Sequence, residues 1–210
     1  MQYDTVVFDW DGTLWNSGSA HQKALQAAAR AAGYPAPSPE AISAYLGLPI
    51  EIIVARLFPG DYVAIIDRYL KAYAQDWRAS SHLYPEVGQM LASLRTRGYK
   101  LALLSNKPRR AAKPEVTCAG LNSSFELEAF GDEVPKVKPE PDGLHHVLCK
   151  LATTSDRALF VGDTETDRAC AERAGVTFAA ALWGTKKPMA MSMFAQSIAW
   201  HRPEDALATL

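Results

Sequence analysis

Two acidic clusters in the chain have spacings that suit phosphate or metal chemistry. The first is Asp9-Trp10-Asp11-Gly12-Thr13. Carboxylates at i and i+2 can face one pocket where a strand ends and breaks, and Gly12 lets the backbone turn and approach an anion. Two carboxylates in one pocket repel each other, so the arrangement needs a cation or a shared proton. A hard cation such as Mg²⁺ takes oxygen ligands and keeps waters and phosphate oxygens in its shell. Alone, the stretch reads equally well as an acidic turn at a strand end. The second cluster is Gly162-Asp163-Thr164-Glu165-Thr166-Asp167. A helix N-cap with an acidic first turn accounts for Glu165, because the helix dipole favours negative charge there. It accounts less well for Asp163, which a strand-to-helix crossover would set beside the first cluster. Taken together, the two clusters point to Asp163 as a metal ligand.

Two further stretches could complete an anion site. Ser105-Asn106-Lys107 offers a hydroxyl, an amide and backbone N–H groups, all suited to phosphate; a plain Ser/Asn turn would use the same residues. Lys136-Val137-Lys138-Pro139-Glu140-Pro141 supplies cations. Pro139 restricts Lys138 to extended backbone, where its ammonium could neutralise phosphate charge and a nearby aspartate. The plainer alternative is a solvated basic loop. Other reaction classes lack their residues: there is no GxxxxGK[ST] loop, GxSxG elbow or HExxH pair. His145 and His146 are adjacent and cannot share a helix face as ligands, so they read as ordinary helix residues.

The elements that must position these residues follow from hydrophobic pattern. Residues 5–9, 100–106, 158–163 and 177–184 are short apolar runs of the kind buried on both faces of a parallel sheet, with a weaker strand near 125–130. Helical patterns over 85–98 and 165–175 separate them, the first with Pro85 at its first turn, each closed by a glycine. Alternating strand and helix predicts a doubly wound parallel α/β sheet with helices on both faces. In such sheets function gathers at the carboxyl ends of strands. Three of the runs end in polar residues there: Asp9 and Asp11, Ser105 and Asn106, and Asp163. The 16–84 stretch breaks the alternation. It is helix-rich, with Ala-heavy 20–32, a further segment at 65–77 and Ser38-Pro39 as an N-cap pair. It is too long for a connection. The expected organisation is a catalytic core of residues 1–15 and 85–210 carrying an inserted helical cap at 16–84, hinged near 16–18 and near Tyr84.

Composition sets the context. At 48% hydrophobic and 21% charged, 210 residues suit a soluble globular protein with a substantial core. A net charge of −1 gives no global field toward nucleic acid or an acidic membrane. The three cysteines are widely spaced and form no CxxC pair, which suits a reducing, cytoplasmic setting. The acidic N-terminal stretch argues against a signal peptide, and no apolar run is long enough to span a bilayer.

In this order, DWDGT at 9–13, Ser105 after an apolar strand, KPEP at 138–141 and GDTETD at 162–167 resemble the haloacid dehalogenase superfamily. The resemblance covers nearly the whole chain. The helical insertion is similar to that family's type-one cap. Gly47-Leu48-Pro49, Tyr84-Pro85 and Trp183-Gly184-Thr185 resemble its phosphoglycolate phosphatase branch. The resemblance implies a Rossmann-like core and a Mg²⁺-dependent phosphatase acting on a small phosphorylated metabolite, phosphoglycolate first. Asp9 would be the nucleophile that becomes an aspartyl-phosphate, and Asp11 the acid/base. Asp9, the Asp11 carbonyl and Asp163 would hold the metal, with Asp167 in support. Gly12, Thr13, Ser105, Asn106 and Lys138 would hold the phosphoryl group, Lys138 also neutralising its charge. Asp11 argues against dehalogenase chemistry, which lacks the second acid, and against phosphonate hydrolysis, where Ala is usual there. Thr13 and Ile50 weaken a sugar phosphomutase reading. Pyrophosphatase activity remains an alternative, as does a non-enzymatic phosphoacceptor resembling receiver domains. Trp10 and Trp15 read as packing residues. In the cap, His21, Lys23, Arg30 and Arg56 are the candidates for choosing a substrate.

Overall fold

The computed structural model describes residues 2–58, 60, 62–184 and 197–210. The chain divides into two compact units, Met1–Trp15 with Leu83–Leu210, and Asn16–His82. It passes between them at β2 (Trp15–Asn16) and β3 (His82–Leu83), two short strands that pair with each other.

The first unit is built on a parallel sheet. Its strands are β1 (Thr5–Phe8), β4 (Lys100–Leu104), β5 (Leu127–Ala129), β6 (Ala158–Gly162), β7 (Thr177–Ala181) and β8 (Ile198–Trp200). Their order across the sheet is β5-β4-β1-β6-β7-β8. The chain winds outward from β1 through β4 to β5, then returns past β1 to build β6, β7 and β8 on the other side. β1 therefore stands where the winding reverses, the position at which doubly wound sheets open a crevice beyond their strand ends. Every residue of β1 and of β6 is buried, as the unbroken apolar runs require. One apolar cluster joins Val7, Ala102, Leu104 and Phe160 to Leu144, Val147, Cys170 and Ala171 from helices α7 (Asp142–Lys150) and α8 (Glu165–Ala174). Each large side chain buried this way contributes about 1.5–3 kcal/mol.

The expected parallel α/β sheet is the observed one, with differences at its margins. The runs at 100–106 and 177–184 are strand only to Leu104 and Ala181, because the polar and glycine-bearing tails turn away. The weak strand near 125–130 is Leu127–Ala129. The helix expected at 85–98 is α5 (Val87–Thr96). Several elements have no counterpart in the sequence pattern, β8 and helix α6 (Arg109–Cys118) among them. β8 is three residues long, too short for a period to register. Helix α6 carries Pro114 in its interior, which removes a helical donor and ordinarily argues against a helix.

The second unit is helical: α1 (Gly18–Ala31), α2 (Pro39–Ser43), α3 (Ile50–Leu57) and α4 (Tyr62–Ser80). Ser38 caps α2 by accepting from the Ala41 N–H. Ala24, Leu25, Ala28 and Ala29 of α1 are buried, as are Ile65, Tyr69, Tyr73 and Trp77 of α4, each set forming one helix face.

Candidate active site

Parallel register brings the polar strand ends together. Phe8 of β1 is level with Leu103 of β4 and Val161 of β6. One residue further, Asp9 emerges between Leu104 and Gly162, with Ser105 and Asp163 next along the flanking strands. The Asp9 N–H still bonds to the Val161 carbonyl at 2.9 Å, so the sheet itself fixes that residue.

Asp9 is 5% exposed, Asp167 1% and Lys138 3%. Lys138 Nζ donates to Asp9 Oδ1 and to Asp167 Oδ1, both at 2.6 Å. The Lys138 backbone is clamped from both sides by Asn106: its N–H donates to Asn106 Oδ1 at 2.8 Å, and Asn106 Nδ2 donates to its carbonyl at 2.9 Å. The Asn106 side chain, expected near phosphate, thus holds the loop that delivers the lysine. Asp167 serves twice. One oxygen meets Lys138, and the other completes a capping box with Thr164 at the start of α8. The N-cap reading of this cluster and its reading as a charged site are both realised, on different oxygens.

Asp163 is partly buried, and its Oδ1 accepts from the Thr13 hydroxyl at 3.0 Å, which is where that expected phosphate group points. Gly12 has φ +85°, and a Cβ there would lie 2.2 Å from Asp163 Oδ2. A Cβ on Gly162 would lie 2.4 Å from the Asp167 Cβ. Both glycines are required so that backbone and carboxylate can approach this closely. Ser105 is 3% exposed, and its hydroxyl accepts from the Lys107 N–H at 3.2 Å. Trp183 Nε1 donates to the Thr13 carbonyl at 2.8 Å, and Gly184 packs against Tyr84 and the Gly12 carbonyl, so the paired motifs at 84 and 183–184 both rest on the first acidic cluster. Thr185 lies outside the described residues.

Ligand oxygens of Asp9, Asp163 and Asp167 all lie within 4.8 Å of one another, an arrangement able to hold a metal ion. The electrostatics agree. Burial pushes the Asp9 carboxyl up to about 7 against the pull of Lys138, with Asp167 and Asp11 adding to the rise. Burial, then Asp167 and Asp9, raise Asp163 well above the ordinary carboxylate range. Burial works against the Lys138 ammonium, but Asp167 and Asp9 more than offset it and raise its pKa. One cation among three acids leaves negative charge in excess, so the all-oxygen donor set fits a hard divalent ion.

The Asp11 side chain stands apart from this cluster. Its Oδ1 lies 3.0 Å from Lys107 Nζ, and that ammonium also meets Glu115 of α6. Lys107 and Glu115 are absent from the set of residues expected to act. Glu115 lies on the face of α6 that also buries Ala112 and Val116, a helical spacing that marks it as an acid on an apolar face. Trp10, read as packing, is fully buried and stacked on Trp15 with ring centroids 5.5 Å apart. It also donates Nε1 to Glu115 Oε2 at 2.7 Å. His145 and His146 lie on α7, away from the acidic group.

In the helical unit, Arg30 and Arg56 are exposed. His21 Nδ1 is 2.7 Å from the Tyr69 hydroxyl, and Lys23 donates to Ser80.

The fold and site define a doubly wound α/β core with an acidic, lysine-bearing cluster at the point where its sheet reverses. Residues 6–181 match the family model for haloacid dehalogenase-like hydrolases, and the chain belongs to that family. A phosphoglycolate phosphatase from Aquifex aeolicus is 31% identical, the match covering 87% of this chain and 86% of that one. One from Vibrio cholerae is 33% identical, covering 81% and 80%. Among solved structures, a haloacid dehalogenase-like hydrolase from Streptococcus pneumoniae shares the fold with a TM-score of 0.88 at 23% identity, covering 99% of this chain and 98% of that one. Among the described residues, no helix is long and apolar enough to cross a membrane.

Proposed function

We propose that this chain is a Mg²⁺-dependent phosphatase of small phosphomonoesters, with phosphoglycolate as the first substrate to test. The observation that carries this reading is the convergence of Asp9, Asp163, Asp167 and Lys138 on one crevice, with Asp11 two residues beyond Asp9. Phosphoglycolate comes from the relatives, several of which bear the name phosphoglycolate phosphatase.

Asp9, Asp163 and the Asp11 main-chain carbonyl would hold Mg²⁺, with Asp167 behind them, and the ion would draw off negative charge from the phosphate. An Asp9 carboxylate oxygen attacks phosphorus and forms an aspartyl-phosphate. As the bond to the substrate alcohol breaks, Asp11 gives that oxygen a proton. Asp11 then takes a proton from water as the water attacks phosphorus, which releases inorganic phosphate and restores Asp9. Lys138, Ser105 and the amides near Gly12 and Asn106 neutralise and position the phosphoryl oxygens, the two contributions on which phosphoryl transfer mainly depends. Residues 16–84 act as the cap that selects the alcohol part of the substrate.

The direct test is phosphate release from a panel of phosphometabolites. Phosphoglycolate should rank at or near the top with Mg²⁺, and excess EDTA should abolish turnover until Mg²⁺ is restored. Full activity in chelator would remove the metal from the reading, and no turnover of any phosphomonoester would remove the reading itself.

A further inference from the structure

Asp11 is gripped by a network outside the phosphate crevice. Its Oδ1 lies 3.0 Å from Lys107 Nζ. The same ammonium donates to both oxygens of Glu115, at 2.8 and 2.7 Å. Trp10 Nε1 also donates to Glu115 Oε2. Glu115 is fully buried and Lys107 9% exposed, whereas the Asp11 side chain is 23% exposed. A buried glutamate is costly unless it is paired and hydrogen-bonded. Here it receives three donors, so its position and that of Lys107 are tightly determined. An ammonium carries three N–H donors. The ammonium held on Glu115 is the same one that reaches Asp11 Oδ1.

We propose that Glu115 and Lys107 form a positioning dyad that sets the Asp11 carboxyl for proton transfer; this rests on the reading of Asp11 as acid/base. Neither residue touches the reacting atoms. With Oδ1 held by Lys107, the Asp11 carboxyl is fixed in the orientation from which it exchanges its proton. In the first step that proton passes to the leaving alcohol oxygen while the P–O bond to the alcohol breaks and the bond to Asp9 forms. In the second, the Asp11 carboxylate receives a proton from the attacking water while the bond between phosphorus and Asp9 breaks. Trp10 belongs to the same device: its ring stacks on Trp15 while its N–H orients Glu115.

The proposal has a signature that a structural role lacks. A nitrophenol leaves without help, whereas an alkyl alcohol needs its proton. Misplacing Asp11 should therefore penalise alkyl esters selectively. The experiment compares kcat/KM, which reports the step in which the alcohol leaves, for phosphoglycolate and p-nitrophenyl phosphate. The variants are Lys107→Met, the double variant Lys107→Met/Glu115→Gln and the isosteric Glu115→Gln. The double variant removes both charges, so no buried carboxylate is left uncompensated. The isosteric Glu115→Gln keeps the proposal testable should a lysine variant fail to fold. Both lysine variants should lose about a hundredfold on phosphoglycolate and less than about tenfold on p-nitrophenyl phosphate, within the range general acid catalysis supplies. Glu115→Gln should show the same bias at smaller amplitude. Asp11→Asn runs alongside as the reference for a lost acid. If Asp11→Asn discriminates between the esters and the dyad variants lower both equally or neither, the dyad does not position Asp11. If Asp11→Asn itself fails to discriminate, the acid role of Asp11 falls and the dyad's role falls with it.

Discussion

In the sheet-bearing unit the buried polar side chains hold one another. Lys138 bridges Asp9 and Asp167, Asn106 clamps Lys138, Thr13 holds Asp163, and Lys107 joins Asp11 to Glu115. In the helical unit the buried side chains are mostly apolar or aromatic, and the arginines weighed as substrate selectors are exposed. The difference has a physical reading. A crevice that must hold charge at fixed distances needs every buried group partnered, because an unpaired one is costly and a loose one misses its target. A helical unit that has only to fold and present a surface can rely on an apolar stripe, leaving its outer residues open to change.

If that contrast is real, substitutions in the two units should differ in kind. The largest effect is expected from Asp9→Asn, which keeps shape but replaces an attacking carboxylate with a neutral amide. Turnover should fall by several orders of magnitude with the fold retained, read by phosphate release and circular dichroism. A folded Asp9→Asn protein with near-wild-type rates would break the core side of the comparison.

A smaller effect concerns charge. Asp9 is pushed up to about 7 and Asp163 well above its ordinary 3.8, so in the metal-free protein the folded state binds protons that the unfolded chain has released. Stability from these groups is present below the ordinary carboxylate range and is lost as pH rises through about 7. Asp4 works outside that window: against the effect of burial, its bonds to Arg157, Thr5 and Thr153 bring it down to about 2. In chelator, the thermal midpoint should fall by several degrees between about pH 5 and about pH 8, and saturating Mg²⁺ should remove or reverse the fall because it favours the ionised carboxylates. A slope unaffected by Mg²⁺ would mean that the acidic cluster does not bind the ion.

The smallest effect is expected in the helical unit. Arg30→Ala or Arg56→Ala should alter the ranking among phosphometabolites a few-fold while leaving p-nitrophenyl phosphate nearly unchanged, since that leaving group offers little to grip. A common factor across the whole panel, or no change, would show that these two arginines do not choose the substrate.

Much of the fold was legible because a buried parallel strand writes itself as a short apolar run, and four such runs lie in this sequence. Asp9, Asp163 and Lys138 were legible for a related reason: each stands next to a strand end or a proline that fixes its backbone. The Glu115 partnership was not. It depends on which face of α6 turns inward, and Pro114 obscures the helix itself. Trp10 as a donor was hidden because an indole inside a packed core gives the same sequence signal whether or not its N–H has a target. The clamp by Asn106 required knowing that the 138 loop returns to the end of β4, a contact across 32 positions of chain. β8 fell below the length at which alternation can be read.

The central claim is that Asp9 carries the phosphoryl group during turnover. The most direct measurement is an acid quench of a single turnover with Mg²⁺ and phosphoglycolate, followed by mass spectrometry of the N-terminal peptides. The account predicts a phosphoryl group on Asp9 that forms and decays at rates compatible with turnover and is absent from Asp9→Asn. Phosphate release with no modified Asp9 at any time point, or with the phosphoryl group on another residue, would contradict it.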